Sequence, residues 1–247
     1  LELTKTIDNV VDRFKVLVSG KDKAGDFYRK SFAALFAYVS HRIPEISDEL
    51  YKIDDAMKAG FGWEHGPFQI WDAIGLEKGL ELIKAENLEV SAWVTDMVTS
   101  SSKSFYTIKN GASYFYNIPS KSQEKVPGQD AFIILDNIRK SKEVFKNSGV
   151  VIEDLGDGIL NCEFQSKMNT IGGDVLAGIN KAIDLAEQNF EGLVIGNQGA
   201  NFSVGANIGM IFMMAVEQEY DELNAAIKYF TSNKARFFRF FSTIKSL

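Results

Sequence analysis

The hydrophobic periodicity of this chain changes at Gly149, and few folds can accommodate that change within one polypeptide. Before it, apolar residues recur at three- and four-residue spacing: Phe32, Leu35, Phe36 and Val39, then Leu50, Ile53 and Met57. That spacing lines one face of a helix. After Gly149 the pattern is that of strands. Val150-Val151-Ile152 and Ile159–Phe164 flank Gly156-Asp157-Gly158, a hairpin signal. Ile171, Val175, Leu176, Ile179 and Ile183 return to helical spacing, and Leu193-Val194-Ile195 reads as a buried strand. Strand, strand, helix, strand, loop and helix in that order describe an α/β unit. A helical part followed by an α/β part is therefore expected, and 247 residues suffice for one large or two modest domains.

Local signals place the elements. Residues 1–25 are charged and read as a helix or linker, with a turn at Gly20-Lys21-Asp22-Lys23. Residues 26–118 read as helical. Ser31–Ser40 is an apolar, aromatic-rich helix that Pro44 breaks. Ser47 is expected to cap the next helix, with Asp48 and Glu49 in its first turn and Gly60 as its stop. A short helix follows Gly66-Pro67, and another spans 76–85. Residues 119–146, with Pro119, Pro127 and Gly128, read as a linker holding one strand or short helix.

Charge and cysteine usage exclude several functions. A net charge of −6 argues against nucleic acid or an anionic membrane as the main partner. Cys162 is the sole cysteine, so neither a disulfide framework nor a cysteine metal site is expected, and no metal ligand is assigned. No apolar run reaches the roughly 20 residues that span a bilayer, and no signal peptide is evident. A cytoplasmic protein is expected. The chain begins at Leu1 rather than Met, which reads as a fragment of a longer protein.

Two blocks carry a resemblance. The run from Asp54 through Gly60-Phe61-Gly62-Trp63-Glu64-His65-Gly66-Pro67-Phe68, followed by Trp71-Asp72-Ala73-Ile74-Gly75, resembles the helical C-terminal domain of 3-hydroxyacyl-CoA dehydrogenases. Physically, Gly62 and Gly66 permit a tight turn, and Pro67 opens a helix where its missing N–H does no harm. Phe61, Trp63, Phe68 and Trp71 supply large apolar contacts. Ser104-Phe105-Tyr106 and Tyr114-Phe115-Tyr116 resemble that domain's aromatic ending. The block reads chiefly as helix-packing scaffold. The resemblance implies that the catalytic His–Glu pair and NAD belong to a preceding domain. His41 and His65 are the only histidines, and no G-x-G-x-x-G follows a strand, so NAD binding by this chain alone is not expected. The carboxylate clusters Asp54-Asp55 and Glu217–Glu222 read as solvated faces. Ser203 does not sit in a G-x-S-x-G elbow, because position 201 is Asn, and there is no histidine to serve it.

Residues 147–230 resemble the first part of a crotonase (enoyl-CoA hydratase/isomerase) domain. The resemblance rests on Lys167-Met168-Asn169-Thr170-Ile171 and on Phe202-Ser203-Val204-Gly205-Ala206-Asn207. It implies that the Val204 backbone N–H is an oxyanion donor, and that Lys167, Met168, Ala206, Asn207 and Ile208 contact the CoA moiety of a thioester substrate. Asn207 stands where the family has Asp. The family's second glycine-rich loop and its glutamates do not follow. Residues 231–247, basic and rich in Phe, read as an aberrant tail, with an amphipathic membrane helix at 234–245 as the competing reading. The expected fold class is α plus α/β: an all-helical dehydrogenase C-terminal-like domain over 26–118, then an incomplete crotonase-type α/β domain over 147–230. The expected function is that of a fragment of a fatty-acid β-oxidation enzyme, combining an NAD-dependent 3-hydroxyacyl-CoA dehydrogenase with an enoyl-CoA hydratase and inactive on its own. The alternative is a non-catalytic acyl-CoA-binding or subunit-assembly module. Fatty acyl-CoA is the expected partner, with a homo-oligomer through the crotonase part. A half-domain would expose apolar surface, so marginal stability is expected.

Overall fold

A computed structural model of the chain describes residues 4–232 apart from 8, 101, 200, 226, 229 and 230. The expectations for residues 233–247 lie outside the described residues. The chain divides after Phe132 into two compact units. No helix among the described residues is long and apolar enough to cross a membrane.

The first unit opens with six helices: α1 (Val10–Ser19), α2 (Lys23–His41), α3 (Leu50–Phe61), α4 (Pro67–Ile74), α5 (Leu76–Ala85) and α6 (Ala92–Thr99). Asn9 caps α1 and Asp22 caps α2, each accepting backbone N–H bonds that the first turn leaves unpaired. α2 packs on α5, and α1 packs on α2 and α4. An aromatic column ties them together. Phe32 stacks on Phe36 at 5.8 Å, Phe36 on Trp71 at 4.7 Å, and Trp71 meets Phe105 at 5.0 Å. Phe36, Phe68, Trp71 and Phe105 are fully buried, and such pairs add about 0.5–1.5 kcal/mol each beyond the area they bury.

The all-helical expectation for residues 26–118 needs correction. The helices end at Thr99, and β1 (Tyr106–Lys109), β2 (Ala112–Asn117) and β3 (Ser122–Lys125) form an antiparallel meander. Asn110-Gly111 makes the first turn with positive φ at both residues (51° and 76°), the two-residue geometry that right-handed strand twist favours. Two boundaries also move. The Ser47 hydroxyl accepts from the Glu49 N–H before the helix begins, so α3 starts at Leu50 with no side-chain cap. α3 ends not at Gly60 but at Gly62, whose φ of 67° gives the left-handed cap.

A third correction concerns Asp54, which is not on a solvated face. It is fully buried in α3 and caps α4 from outside. Gly66 has no side chain to offer the start of α4. Asp54 Oδ1 instead accepts from the Phe68 N–H at 2.9 Å and Oδ2 from the Gln69 N–H at 3.1 Å, while Oδ2 also accepts from the Tyr106 hydroxyl at 2.8 Å. The two chains lie so close that a Cβ on Gly66 would sit 2.3 Å from the Asp54 Cα. Asp55, one residue on, is exposed and pairs with Lys58 at 2.7 Å. Asp72 repeats the device at the sheet, accepting from the N–H groups of Phe105 and Tyr106, both at 2.8 Å.

The second unit is a mixed sheet in the order β4 (Glu143–Lys146), β5 (Val150–Gly156), β6 (Ile159–Phe164) and β7 (Gly192–Ile195). β4, β5 and β6 are antiparallel, and β7 joins β6 in parallel through α8 (Gly173–Asn189). Side chains alternate across the sheet. Val150, Ile152, Leu160, Cys162 and Phe164 pack with Val175, Ala182, Ile183 and Ala186 of α8 and with Leu193. The opposite face carries Val151, Glu153, Asn161 and Glu163, and a short helix α7 (Leu135–Ile138) precedes it. β7 is less buried than its apolar sequence suggested. Leu193 is buried but Val194 is 45% exposed, because β7 is the edge of the described sheet.

Candidate functional site

β6 and β7 are parallel neighbours, so the loops leaving their C-terminal ends rise side by side. Ligands of α/β sheets bind outside such strand ends. The loop after β6 is a single 3₁₀ turn, Lys167–Asn169, in which Met168 and Asn169 take left-handed φ of 55° and 54°. The loop after β7 runs from Gly196 to Asn207, where the Asn207 side chain caps α9 (Ile208–Val216) by accepting from Met210 N–H at 3.1 Å.

Backbone and side-chain bonds stitch the two loops together. The Ile171 N–H donates to the Gly205 carbonyl at 2.8 Å, and the Asn207 N–H donates to the Ile171 carbonyl at 3.3 Å. Ile171 and Ala206 form a parallel bridge. The Ser203 hydroxyl donates to the Asn169 carbonyl at 2.6 Å and accepts from the Gly205 N–H at 3.0 Å. Ser203 is thereby a fixed loop brace, with neither lone nucleophile geometry nor a histidine beside it.

A cleft of about 510 Å³ opens against this pair of loops, lined by Ser148, Ser166, Lys167, Met168, Thr170, Gly172, Gly173, Asp174, Asn207 and Met210, among others. Three residues singled out in the sequence, Lys167, Met168 and Asn207, share it. Val204, Ala206 and Ile208 do not line it. Ala206 is held in the bridge, Ile208 is 76% exposed, and Val204 is 47% exposed with its N–H donating to the Met168 carbonyl at a long 3.4 Å. The N–H proposed as an oxyanion donor is therefore lightly committed inside the loop pair. Sequence reasoning did not name Ser148 or Ser166, and it placed Gly172-Gly173 at the start of a helix without assigning the pair to a site. The signal was present in the position of Gly172-Gly173 directly after the Lys167–Ile171 loop.

A second set of polar side chains lies beneath the loops, on the sheet face away from α8. Arg139, just after α7, donates to Glu163 through two parallel bonds of 2.9 Å and pairs with Asp136 at 2.6 Å. Asn161 donates to Glu153 Oε2 at 3.0 Å. Glu153 Oε1 is buried with no hydrogen-bond partner among the described residues. Burial, with the nearby Glu163 carboxylate, pushes the Glu153 carboxyl up to about 7. Burial likewise pushes the Cys162 thiol up to about 12, so it is an unreactive core group. Among the described residues no cluster of three or more His, Cys, Asp or Glu is placed to hold a metal. His41 bonds the Glu89 carbonyl at 3.2 Å, and the His65 ring lies edge-on to Phe14 at 6.2 Å.

Comparison with known proteins bears on both units. Residues 29–104 match the family 3-hydroxyacyl-CoA dehydrogenase, C-terminal domain. A Bacillus subtilis protein named probable 3-hydroxyacyl-CoA dehydrogenase is 36% identical over 231 residues, 93% of this chain and 29% of its own length. A Rickettsia prowazekii protein, provisionally named a fatty acid oxidation complex trifunctional enzyme, is 25% identical over 90% of this chain and 28% of its own. A similarly named Rickettsia felis protein is 22% identical over 83% of this chain and 25% of its own. The chain thus spans less than a third of the curated relatives it matches. No solved structure matches it.

Proposed function

We propose that this chain is part of a fatty-acid β-oxidation enzyme, a dehydrogenase-type helical domain followed by a crotonase-like unit that binds an acyl-CoA thioester. One observation carries the reading: 36% identity to the Bacillus subtilis relative runs through 93% of the chain, so both units share in it. The whole protein would hydrate a trans-2-enoyl-CoA and oxidise the resulting 3-hydroxyacyl-CoA with NAD. NAD would bring hydride acceptance. No G-x-G-x-x-G is present to hold it here, so no residue of this chain is assigned to it.

In the crotonase-like unit the cleft beside Lys167, Met168 and Asn207 would take the CoA moiety. The exposed Lys167 ammonium supplies positive charge for phosphate, and the Asn207 amide, with Ala206 and Ile208 beside it, would edge the adenine. When the thioester oxygen gains negative charge, the Val204 N–H would exchange its 3.4 Å bond to Met168 for a stronger one to that oxygen. A single donor with no acid–base partner assigned leaves most of the rate advantage unmade, so the chain alone is expected to bind and not to turn over.

A second reading, a non-catalytic acyl-CoA-binding or subunit-assembly module, draws support from α9. Its sequence is almost wholly apolar, yet none of its residues is buried. Titration of the purified chain with butyryl-CoA by calorimetry tests the thioester site. Saturable binding lost in Lys167→Glu and weakened in Val204→Pro supports the thioester site. Absence of binding, or indifference to both substitutions, refutes it. Sustained hydration of a 2-enoyl-CoA by the chain alone would overturn the prediction that it is inactive.

A further inference from the structure

The root of the Gly196–Asn207 loop rests on the buried acids. Asn161 Nδ2 donates to Glu153 Oε2 at 3.0 Å and lies 3.4 Å from the Gly196 carbonyl, so one amide serves both groups. The contact is tight as well as polar, since a Cβ on Gly196 would sit 2.8 Å from Asn161 Oδ1. The next two residues are anchored too. Asn197 accepts from the Phe164 N–H at 2.7 Å and donates to the Phe202 carbonyl at 2.7 Å, two residues before Val204. Gln198 accepts from the Leu135 N–H at 2.7 Å and donates to the Ile133 carbonyl at 2.6 Å. That segment leads directly to Arg139, which grips Glu163 beside Glu153. The circuit closes on itself.

We propose that Glu153 and Asn161 are positioning residues for the loop that carries Val204: the Asn161 amide gives one N–H to the Glu153 carboxyl and the other to the Gly196 carbonyl, and the charge on Glu153 sets how far that amide is drawn away from Gly196. Charge-assisted hydrogen bonds are shorter and about twice as strong as neutral ones. An ionised Glu153 therefore draws the Asn161 amide toward itself and loosens its hold on Gly196. A protonated Glu153 can turn Oε1–H toward Glu163 and leave the amide free to hold the loop. The groups facing Glu153 are few. β6 contributes Glu163, β4 places Glu143 opposite it and Lys146 opposite Val151, and α7 brings Arg139 with its partner Asp136. β7 contributes only Val194 opposite Asn161, and Cys162 lies on the other face. Burial first, and the neighbouring Glu163 carboxylate after it, make Glu153 hold its proton, while the Arg139 guanidinium is engaged by Glu163.

The inference rests on the thioester reading only for the ligand's identity. Its test uses amide spectra of the full chain without ligand, between about pH 5 and about pH 9. The expected result is that Gly196, Asn197 and residues 202–205 titrate together with a midpoint near 7. Glu153→Gln keeps an acceptor for Asn161 but cannot ionise, and should flatten those curves while the loop signals stay native-like. Asn161→Leu should also flatten them while the Glu153 carboxyl still titrates by ¹³C. Loop amides that titrate unchanged in Glu153→Gln, or that do not titrate in the parent chain, overturn the proposal. If Asn161→Leu does not fold, the Glu153→Gln result decides alone. Butyryl-CoA affinity across the same range gives the second readout, varying with pH in the parent and flat in Glu153→Gln. A chain whose loop titrates but which binds no thioester retains the relay and loses the proposed function. Binding with a loop indifferent to Glu153 does the reverse.

Discussion

Replacing Asp54 with Ala tests whether one buried carboxylate holds the first unit together. The substitution strands three donors at once: the Phe68 N–H, the Gln69 N–H and the Tyr106 hydroxyl. A buried donor left unmade costs about 1–3 kcal/mol. Gln69 is only half-buried and can recruit water, so the lower end applies there. Relief of the burial penalty, which lifts the Asp54 carboxyl to about 6, offsets part of the loss. The net expectation is a loss of about 3–4 kcal/mol, near the upper end for a point substitution. Asp54→Asn discriminates between donor counting and simple packing. Its oxygen can still accept from Phe68, and the Tyr106 hydroxyl can rotate to accept from the new amide. Only the Gln69 N–H is then stranded, at about 1–2 kcal/mol. All three tryptophans, Trp63, Trp71 and Trp93, lie before Phe132. Urea unfolding followed by tryptophan fluorescence therefore reports this unit alone. An Ala variant costing under about 1 kcal/mol, or an Asn variant costing as much as Ala, would refute the account.

Other outcomes follow from the same geometry. Burial raises Asp54 to about 6 and Asp72 to about 7, so between the ordinary carboxylate range and these values the folded unit holds protons that the unfolded chain has released. Stability of the first unit should accordingly be greatest at acidic pH, fall as pH rises through 6 to 7 and level off above, as tryptophan-detected urea midpoints would register. Gly79→Ala would drive a methyl to 1.9 Å from the Trp71 ring nitrogen, whereas Gly60→Ala meets nothing within 4 Å. The first should unfold or strongly destabilise the unit and the second should be neutral or stabilising by about 0.5–1 kcal/mol, a contrast readable from paired thermal melts. Arg139→Met leaves Glu163 buried without its cation and should cost the second unit about 3–5 kcal/mol by hydrogen exchange at β6. If the same variant also carries Glu163→Met, much of that loss should return.

The sequence disclosed elements better than it disclosed partners. The helix over Leu76–Ala85, the 150–164 hairpin and α8 are written in local periodicity and turn residues, and the structure has them there. The meander at 106–125 was equally local, signalled by Asn110-Gly111, but the long helical pattern before it masked the change of period. Asp54 is a different case. Its neighbour Asp55 does face solvent, and only the absence of a capping side chain at Gly66 hints that the start of α4 borrows an acceptor from another helix. The polar face of the second sheet was hidden for a similar reason. Glu153, Asn161 and Glu163 alternate with apolar residues as an exposed strand face would, yet all three are buried, and Glu163 takes its cation from Arg139, earlier in the chain. The candidate cleft was half legible. The sequence pointed to both loops, while the bridge between Ile171 and Ala206 depends on a parallel pairing that no local signal fixes.

That bridge has a consequence for how this region can vary. The loops after β6 and β7 are separated by the whole of α8, yet each supplies the other's hydrogen-bond partners. They form one surface written in two instalments, with α8 as a strut of fixed length between them. Adding a single residue to that strut would turn everything beyond it by about 100° and break the register of both instalments. Exchange of either loop with a homologue should fail where exchange of both together, strut included, succeeds.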